Sequence, residues 1–300
     1  MARRSSWKII RKKLTPYKLL IPQIILSMIF LVGIFIGIIQ SFGVIPSLGL
    51  TKPTIKYYKE ILSNVNMINS IVYSFRIAII SALFSTIIGV LISGIIVLNR
   101  RENSLYMKII QLPIIIPHIV VALFTINILS KNGILARVVY SLGLISDQQE
   151  FPKVIFDSGG IGVIIAYLWK EIPFIIYFII ALMSKINNKL GEAAINLGAS
   201  KWKAFFKVTL PLCKNTILSG FIIIFIFALG AYELPAILGA TSPRALPVLT
   251  YVEYIHPDLQ NRPYAMALNG IMILISLISA TIYYYLVNSN FKSIKGDINK

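Results

Sequence analysis

Six long apolar runs alternate with polar segments along the chain. A helix rises ~1.5 Å per residue, so about twenty apolar residues cross a hydrocarbon core of ~30 Å. The first run, 19–39, meets that length, and the second, 71–98, exceeds it and is expected to tilt or project beyond the bilayer. The third, 109–129, contains Pro113 and Pro117; the fourth covers 161–183, the fifth 216–238 and the sixth 265–287. Segment 40–70 is rich in turn formers, including Pro46, Gly49 and Pro53, while Tyr57, Tyr58, Ile61 and Leu62 mark a short helix suited to the membrane surface. The pattern predicts an all-α membrane protein with six transmembrane helices.

Composition agrees, since 57% of the 300 residues are hydrophobic and only 13% charged. The mean hydropathy of +0.79 is too high for a soluble domain of this size. The net charge of +18 would suggest nucleic acid in a soluble protein. Its placement explains it differently. The tail 1–18 holds Arg3, Arg4, Lys8, Arg11, Lys12, Lys13 and Lys18 without an acid, and Lys292, Lys295 and Lys300 crowd the tail 288–300. Arg100, Arg101 and Lys108 lie between the second and third runs, and six more lysines lie in 185–215, whereas 40–70 holds three lysines with one glutamate and 130–159 balances three basic with three acidic residues. The positive-inside rule therefore predicts both termini and the loop 185–215 in the cytoplasm, with 40–70 and 130–159 outside, and no nucleic-acid partner. A cleaved signal peptide is the alternative for the first run, but no small-x-small site follows it. Cys213 is the only cysteine, which excludes an intrachain disulfide and a cysteine metal cluster; no cofactor or metal is expected.

The basic loop carries the most specific pattern. From Gly191 to Pro211 it reads GEAAINLGASKWKAFFKVTLP. Glu192, Ala193 and Ala194 are followed after three residues by Gly198, then by Val208, Leu210 and Pro211. If the residues after Gly198 are helical, Trp202, Phe205, Phe206 and Thr209 share one face and Lys203 and Lys207 another. Ala193 and Ala194 keep one side of the preceding helix slim, Gly198 permits a sharp turn, and Leu210-Pro211 opens the fifth run. Amphipathicity alone favours a segment lying on lipid. The spaced pattern, set between the fourth and fifth of six runs, points elsewhere. With Val208 in place of isoleucine, it resembles the EAA loop of permease subunits of binding-protein-dependent ABC importers. Tyr167-Leu168-Trp169 and Ile172-Pro173-Phe174 extend the resemblance upstream. Gly230 to Pro235 and Pro243 to Pro247 are most similar to the spermidine/putrescine-type branch.

That resemblance implies a type I importer permease core over 71–287, whose loop, with Glu192, Ala193, Ala194, Gly198, Leu210 and Pro211, docks into a cleft of an ATP-binding cassette subunit. It also implies a second permease, identical or paralogous, an extracytoplasmic solute-binding protein, a polyamine-like small solute and alternating access. The chain contains no GxxxxGK[ST] phosphate loop, so ATP hydrolysis is expected from a separate subunit.

Four of the polar side chains within the apolar runs are candidates for function. Lys170 and Glu171 lie near the middle of the fourth run, where charges normally face protein or a water-filled cavity. Neighbours on a helix point ~100° apart, so the two need not pair. They are candidates for the translocation path or for structural pairing with other helices. His118 follows Pro117 at depth and reads as a packing residue or a solute ligand. Glu233 precedes Pro235 toward the outer end of the fifth run, placed to meet solute or binding protein, or to cap a broken helix. An ion-coupled secondary transporter using these four as a relay is the rival reading; they form no recognisable metal or nucleophile constellation for an enzyme. Gly33/Gly37 and Gly89/Ser93 are small pairs that allow close helix contact, and Tyr283 to Tyr285 suit an interfacial anchor.

Overall fold

The structure, a computed structural model, describes residues 2–298 apart from Asn103, with the backbone alone for 2–17 and 288–298. The basic side chains expected to hold the two tails inside, Arg3 to Lys13 and Lys292, Lys295 and Lys300, therefore lie outside the described side chains. Among the described residues the chain is helical and forms no strand beyond one isolated bridge, Ile45 to Leu50. Six stretches are long and apolar enough to cross a membrane: Lys18–Ser41, Val65–Leu98, His118–Ser141, Ile161–Asn196, Lys201–Gly230 and Leu259–Val287.

The first run lies in α1 (Ala2–Ser41), which packs along the last helix and otherwise exposes apolar side chains from Leu19 to Phe35. Among the described residues, a Cβ added at Gly33 or Gly37 would meet nothing within 4 Å. The short helix α2 (Lys56–Ser63) forms over the residues that suggested it. Tyr57 and Ile61, however, are buried against Leu246, Ala267 and Leu268 rather than turned to a lipid surface. Amphipathicity alone does not distinguish the two partners.

The second run lies in α3 (Val65–Leu98), which starts earlier than 71 because the Asn64 side chain accepts from the N–H groups of Asn66 and Met67 at 3.0 and 3.4 Å. That cap offsets two of the orphan donors of the first turn. At ~1.5 Å per residue the helix is about 50 Å long, well beyond one perpendicular crossing. Its buried face is built of small residues, Ser74, Ala78, Ser81, Ala82, Ser85, Gly89, Ser93 and Gly94. Small residues let membrane helices approach closely. A Cβ on Gly89 would lie 2.6 Å from Ile175 Cγ2 of the fourth run.

The third run is not one helix. It is divided into α4 (Leu105–Ile115) and α5 (His118–Leu129) by Ile116 and Pro117, whose ψ angles of 129° and 145° are extended. Pro117 has no N–H and disfavours a helical conformation at Ile116, so the ladder stops there. After α6 (Ile134–Ser141), α7 (Ile161–Ile186) continues through Pro173 and packs on α3 along its length. The basic loop contains α8 (Glu192–Asn196) and α9 (Lys201–Ala204). The fifth run is also shorter than expected at one end and longer at the other. Its helix α10 (Leu210–Gly230) begins before 216 and stops at extended Ala231, and α11 (Glu233–Leu238) follows as a separate piece.

A helix not expected from the apolar runs, α12 (Leu246–Tyr254), opens with Pro247 in its first turn and packs on α13 (Arg262–Ile298), which carries the sixth run. The Leu246 N–H donates to Ser74 Oγ, tying α12 to α3.

Candidate functional site

The loop between α7 and α10 is a braced structure. α7 passes through a π-type turn, Asn187–Gly191, into α8, and α9 passes through a second, Phe205–Thr209, into α10. Pro211 in the first turn of α10 has no N–H to give to the preceding turn, which suits a widened ladder just before it. The two wide turns meet: Thr209 Oγ1 donates to Asn187 Oδ1 at 3.4 Å, with both residues buried. Gly191 lies between them, where a Cβ would sit 2.6 Å from Asn187 Oδ1 and 3.1 Å from Thr209 Oγ1.

Between α8 and α9 the chain reverses at Gly198, whose φ of +94° is open to glycine and strained for other residues. The N–H groups of Gly198 and Ala199 donate to Ile195 and Ala194 carbonyls at 2.9 and 3.0 Å, closing α8, and Ser200 Oγ accepts from Lys203 N at 3.3 Å to start α9.

The expected aromatic face is split by the wide turn. Phe205 and Thr209 point inward, while Trp202 and Phe206 are about half exposed and stack on each other at 5.9 Å. Phe205 is fully buried, and its ring covers Gly94 of α3. Leu197 at the tip of the reversal is 90% exposed. Ala193 and Pro211 are exposed, and Ala194 and Leu210 half-buried. The Glu192 carboxylate is paired with Arg100 in the turn between α3 and α4, and Ser184 Oγ donates to Glu102 Oε1 of the same turn at 2.7 Å. A polar cleft of 460 Å³ opens beside the pair, lined by Asn99, Arg100, Asn187, Glu192, Asn196 and Lys201. Arg100 and Asn187 carry no motif signal and Thr209 reads only as part of the aromatic face; their contacts alone reveal that they brace the loop.

The intramembrane polar residues fall into two groups. Where α5 and α11 pack together, His118 Nδ1 lies 3.1 Å from Glu233 Oε2. Each of these residues opens a helix directly after a break. The imidazole ring also lies 5.6 Å from the ring of Phe227. Lys170 Nζ donates to the carbonyl of Ile116, a group freed by the break before Pro117, and His118 is within electrostatic reach of Lys170 as well as Glu233. Glu171 is separate. It turns toward α3, is 3% exposed, and accepts from Ser85 Oγ at 3.0 Å through Oε2. Ser81 also faces this carboxylate, although among the described residues neither Glu171 Oε1 nor the hydroxyl of buried Tyr167, one turn earlier, has a partner in full hydrogen-bond geometry. Among the described residues no group of three or more His, Cys, Asp or Glu could hold a metal.

Residues 85–293 match the family model described as "Binding-protein-dependent transport system inner membrane component". The chain is 27% identical over 66% of its length to "Molybdenum transport system permease protein ModB" of Haemophilus influenzae, covering 78% of that protein. It is 30% identical over 68% of its length to "Molybdate/tungstate transport system permease protein WtpB" of Pyrococcus abyssi, covering 72% of that protein. These relatives are not polyamine permeases, so the expected spermidine/putrescine-type branch is not the one they support. In fold, the chain is similar to a chain of a bacterial alginate ABC transporter in complex with a periplasmic protein, with a TM-score of 0.74, 22% identity, and 93% and 96% of the two chains covered. A match over most of its length, together with six helices able to cross a membrane, makes this a multi-pass membrane protein that belongs to the family of inner-membrane components of binding-protein-dependent transport systems.

Proposed function

We propose that the chain is the permease subunit of an ATP-driven importer and that the segment from Glu192 to Pro211 is its docking site for a separate ATP-binding cassette subunit. The observation that carries this reading is the loop's two-sided construction. Asn187, Phe205 and Thr209 fix its base to the helix bundle, and Leu197, Trp202 and Phe206 are left exposed on its far side. A segment resting on lipid needs no such bracing, whereas a handle that transmits force does. The docking side is cytoplasmic, with both termini on it, as the distribution of Lys and Arg supports.

A second permease copy or paralogue completes the path, and an extracytoplasmic binding protein delivers the solute. The similarity to molybdenum and molybdate/tungstate permeases supports a tetrahedral oxyanion as that solute in preference to a polyamine. His118, Lys170 and Glu233, gathered at the two helix breaks, line the path; Glu171, enclosed against α3, holds helices together. ATP-driven closure of the ATPase dimer moves the loop and reorients α7 and α10 between two states.

Mild-detergent purification of the tagged chain beside Glu192→Lys tests the docking. An ATPase recovered with the wild type and depleted with the variant is expected. Recovery of the chain alone, active with an ion gradient as its only energy source, would overturn the reading in favour of a secondary transporter. Calorimetry of the companion binding protein with molybdate, tungstate, sulfate and spermidine tests the solute class. Binding of spermidine alone would reinstate the polyamine solute.

A further inference from the structure

The contact between His118 and Glu233 has unequal sides. His118 is held: it opens α5 directly after a rigid Pro117, its ring lies against Phe227, and its side chain is 26% exposed. Lys170 is held as well, by its bond to the Ile116 carbonyl, which uses one of the three N–H donors of an ammonium group. Glu233 is the loose member. Its side chain is 62% exposed, and it begins a six-residue helix after the extended residue Ala231. Its carboxylate thus lies 3.1 Å from His118 Nδ1 of α5 and within electrostatic reach of Lys170 of α7. The contrast with Glu171 is informative, because that carboxylate is enclosed and faces a serine.

A carboxylate and a tetrahedral oxyanion ask the same of a site, namely N–H donors directed at oxygen and a compensating positive charge. We infer that His118 and Lys170 form a transient oxyanion site on the translocation path and that the Glu233 carboxylate occupies it when solute is absent. The inference rests on the proposed oxyanion reading and deepens it. As solute arrives, an oxyanion takes the place of the carboxylate, which swings toward water. When solute leaves, the carboxylate returns. The carboxylate covers the N–H donors between solutes, and a sulfate- or molybdate-type dianion brings one more negative charge to them than the carboxylate it displaces. An internal competitor also keeps the site weak, which transport demands: a path must bind well enough to admit a solute and poorly enough to release it.

The magnitude follows from occupancy. If the carboxylate fills the site about nine-tenths of the time, an incoming anion finds it free one time in ten and its apparent affinity is lowered roughly tenfold. Removing the carboxylate should therefore tighten anion binding by about that factor. The experiment uses the complete complex of permeases and ATPase in nanodiscs without binding protein, with tungstate and radiolabelled sulfate as probes in equilibrium dialysis. Glu233→Ala and the closer isostere Glu233→Gln are both expected to bind the anions more tightly than wild type, and His118→Ala and Lys170→Ala less tightly. Combining Glu233→Ala with His118→Ala should cancel the gain.

Anion affinity unchanged or reduced in both Glu233 variants overturns the inference, and so does spermidine binding that depends on Glu233. The use of two Glu233 variants guards against one that merely folds badly. The failure of the underlying reading is separable, because it shows in the isolated binding protein. A binding protein that takes oxyanions alongside Glu233 variants with unaltered affinity removes this inference and leaves the importer's solute class standing.

Discussion

Replacing Gly94 by alanine tests how the loop is seated on α3. An added Cβ would lie 2.6 Å from Phe205 Cζ, 2.9 Å from Cε2 and 3.1 Å from Cε1. Relaxed carbon contacts fall near 3.5–4.0 Å, so the ring must retreat by roughly 1 Å. It has little room, because Phe205 is fully buried and the ring of Phe206 lies 5.1 Å away. Overpacking of this kind costs about 1–3 kcal/mol. The displacement falls on the wide turn Phe205–Thr209 and hence on the bond from Thr209 to Asn187. Gly94→Ala is expected to lower the thermal midpoint of the purified protein in nanodiscs and to weaken recovery of the ATPase. Phe205→Leu alone should also destabilise, by removing ring contacts. The double variant should be more stable than the sum of the two, with a coupling of roughly 0.5–3 kcal/mol, since the shorter side chain makes space for the new methyl. Strict additivity, or a Gly94→Ala protein that melts and couples like wild type, would refute the close contact.

Three further outcomes are expected. Gly198→Val puts a β-branched residue at φ +94°, a strain of about 1–2 kcal/mol, and should lower solute imported per ATP hydrolysed while insertion stays normal; an unchanged ratio would count against the docking role of the loop. Ser85→Ala removes a hydrogen bond to Glu171 and should lower stability by about 1 kcal/mol, read as a drop in thermal midpoint that Ser85→Thr partly restores; no change would mean that the carboxylate finds equal partners elsewhere. Cysteines replacing His118 and Glu233 in a Cys213→Ser background remove the proposed donor, so the reduced protein should import more slowly than wild type, and oxidation should stop that residual uptake until a reductant is added; residual transport that continues through the cross-link would exclude separation of α5 from α11 during the cycle.

The membrane-crossing elements were legible because lipid imposes a length and a polarity that a run of residues must satisfy by itself. The loop was legible for a different reason, its spaced glycine, glutamate and proline. What escaped both signals was backbone interruption within apolar sequence. A hydropathy run passes through Ile116-Pro117 and Ala231-Tyr232 without change, although the ladder stops at each. Pro117 held a cue, since the residue before proline avoids the helix, but Pro173 carries the same cue inside an unbroken α7. Packing decides between them. The pairing of His118 with Glu233 was invisible for the same reason: it depends on two breaks facing each other, and both residues otherwise read as isolated polar groups. α12 was missed because Leu246 to Tyr254 is too short to cross a membrane and finds its apolar partner in α13. The polyamine resemblance rested on short strings of aromatic, glycine and proline residues, which record how such helices bend more than what passes between them.

The two candidate sites are joined by the chain itself. α7 carries Lys170 and runs without interruption to Ile186, then through one wide turn to Glu192. At ~1.5 Å per residue, Lys170 lies about 24 Å from the end of that helix. α10 leaves the other side of the loop and runs to Gly230, just before Glu233. Thus Lys170 stands on an element continuous with the loop, and Glu233 on a short helix tethered to α10 through the extended residue Ala231. His118 does neither: it belongs to α5, separated from α4 by the extended pair Ile116-Pro117. Under the proposed coupling, a displacement of the loop carries α7 and α10 together, because Asn187 and Thr209 lock their bases and Ile175 of α7 is wedged against Gly220 of α10, where a Cβ would lie 2.9 Å from its Cδ1. The relative motion must then be absorbed where a moving element meets one that is not continuous with it. Two polar contacts cross that boundary, Lys170 to the Ile116 carbonyl and Glu233 to His118. The helix breaks therefore place compliance next to the residues proposed to touch solute, so that opening of the path and exchange of its anionic occupant become one movement.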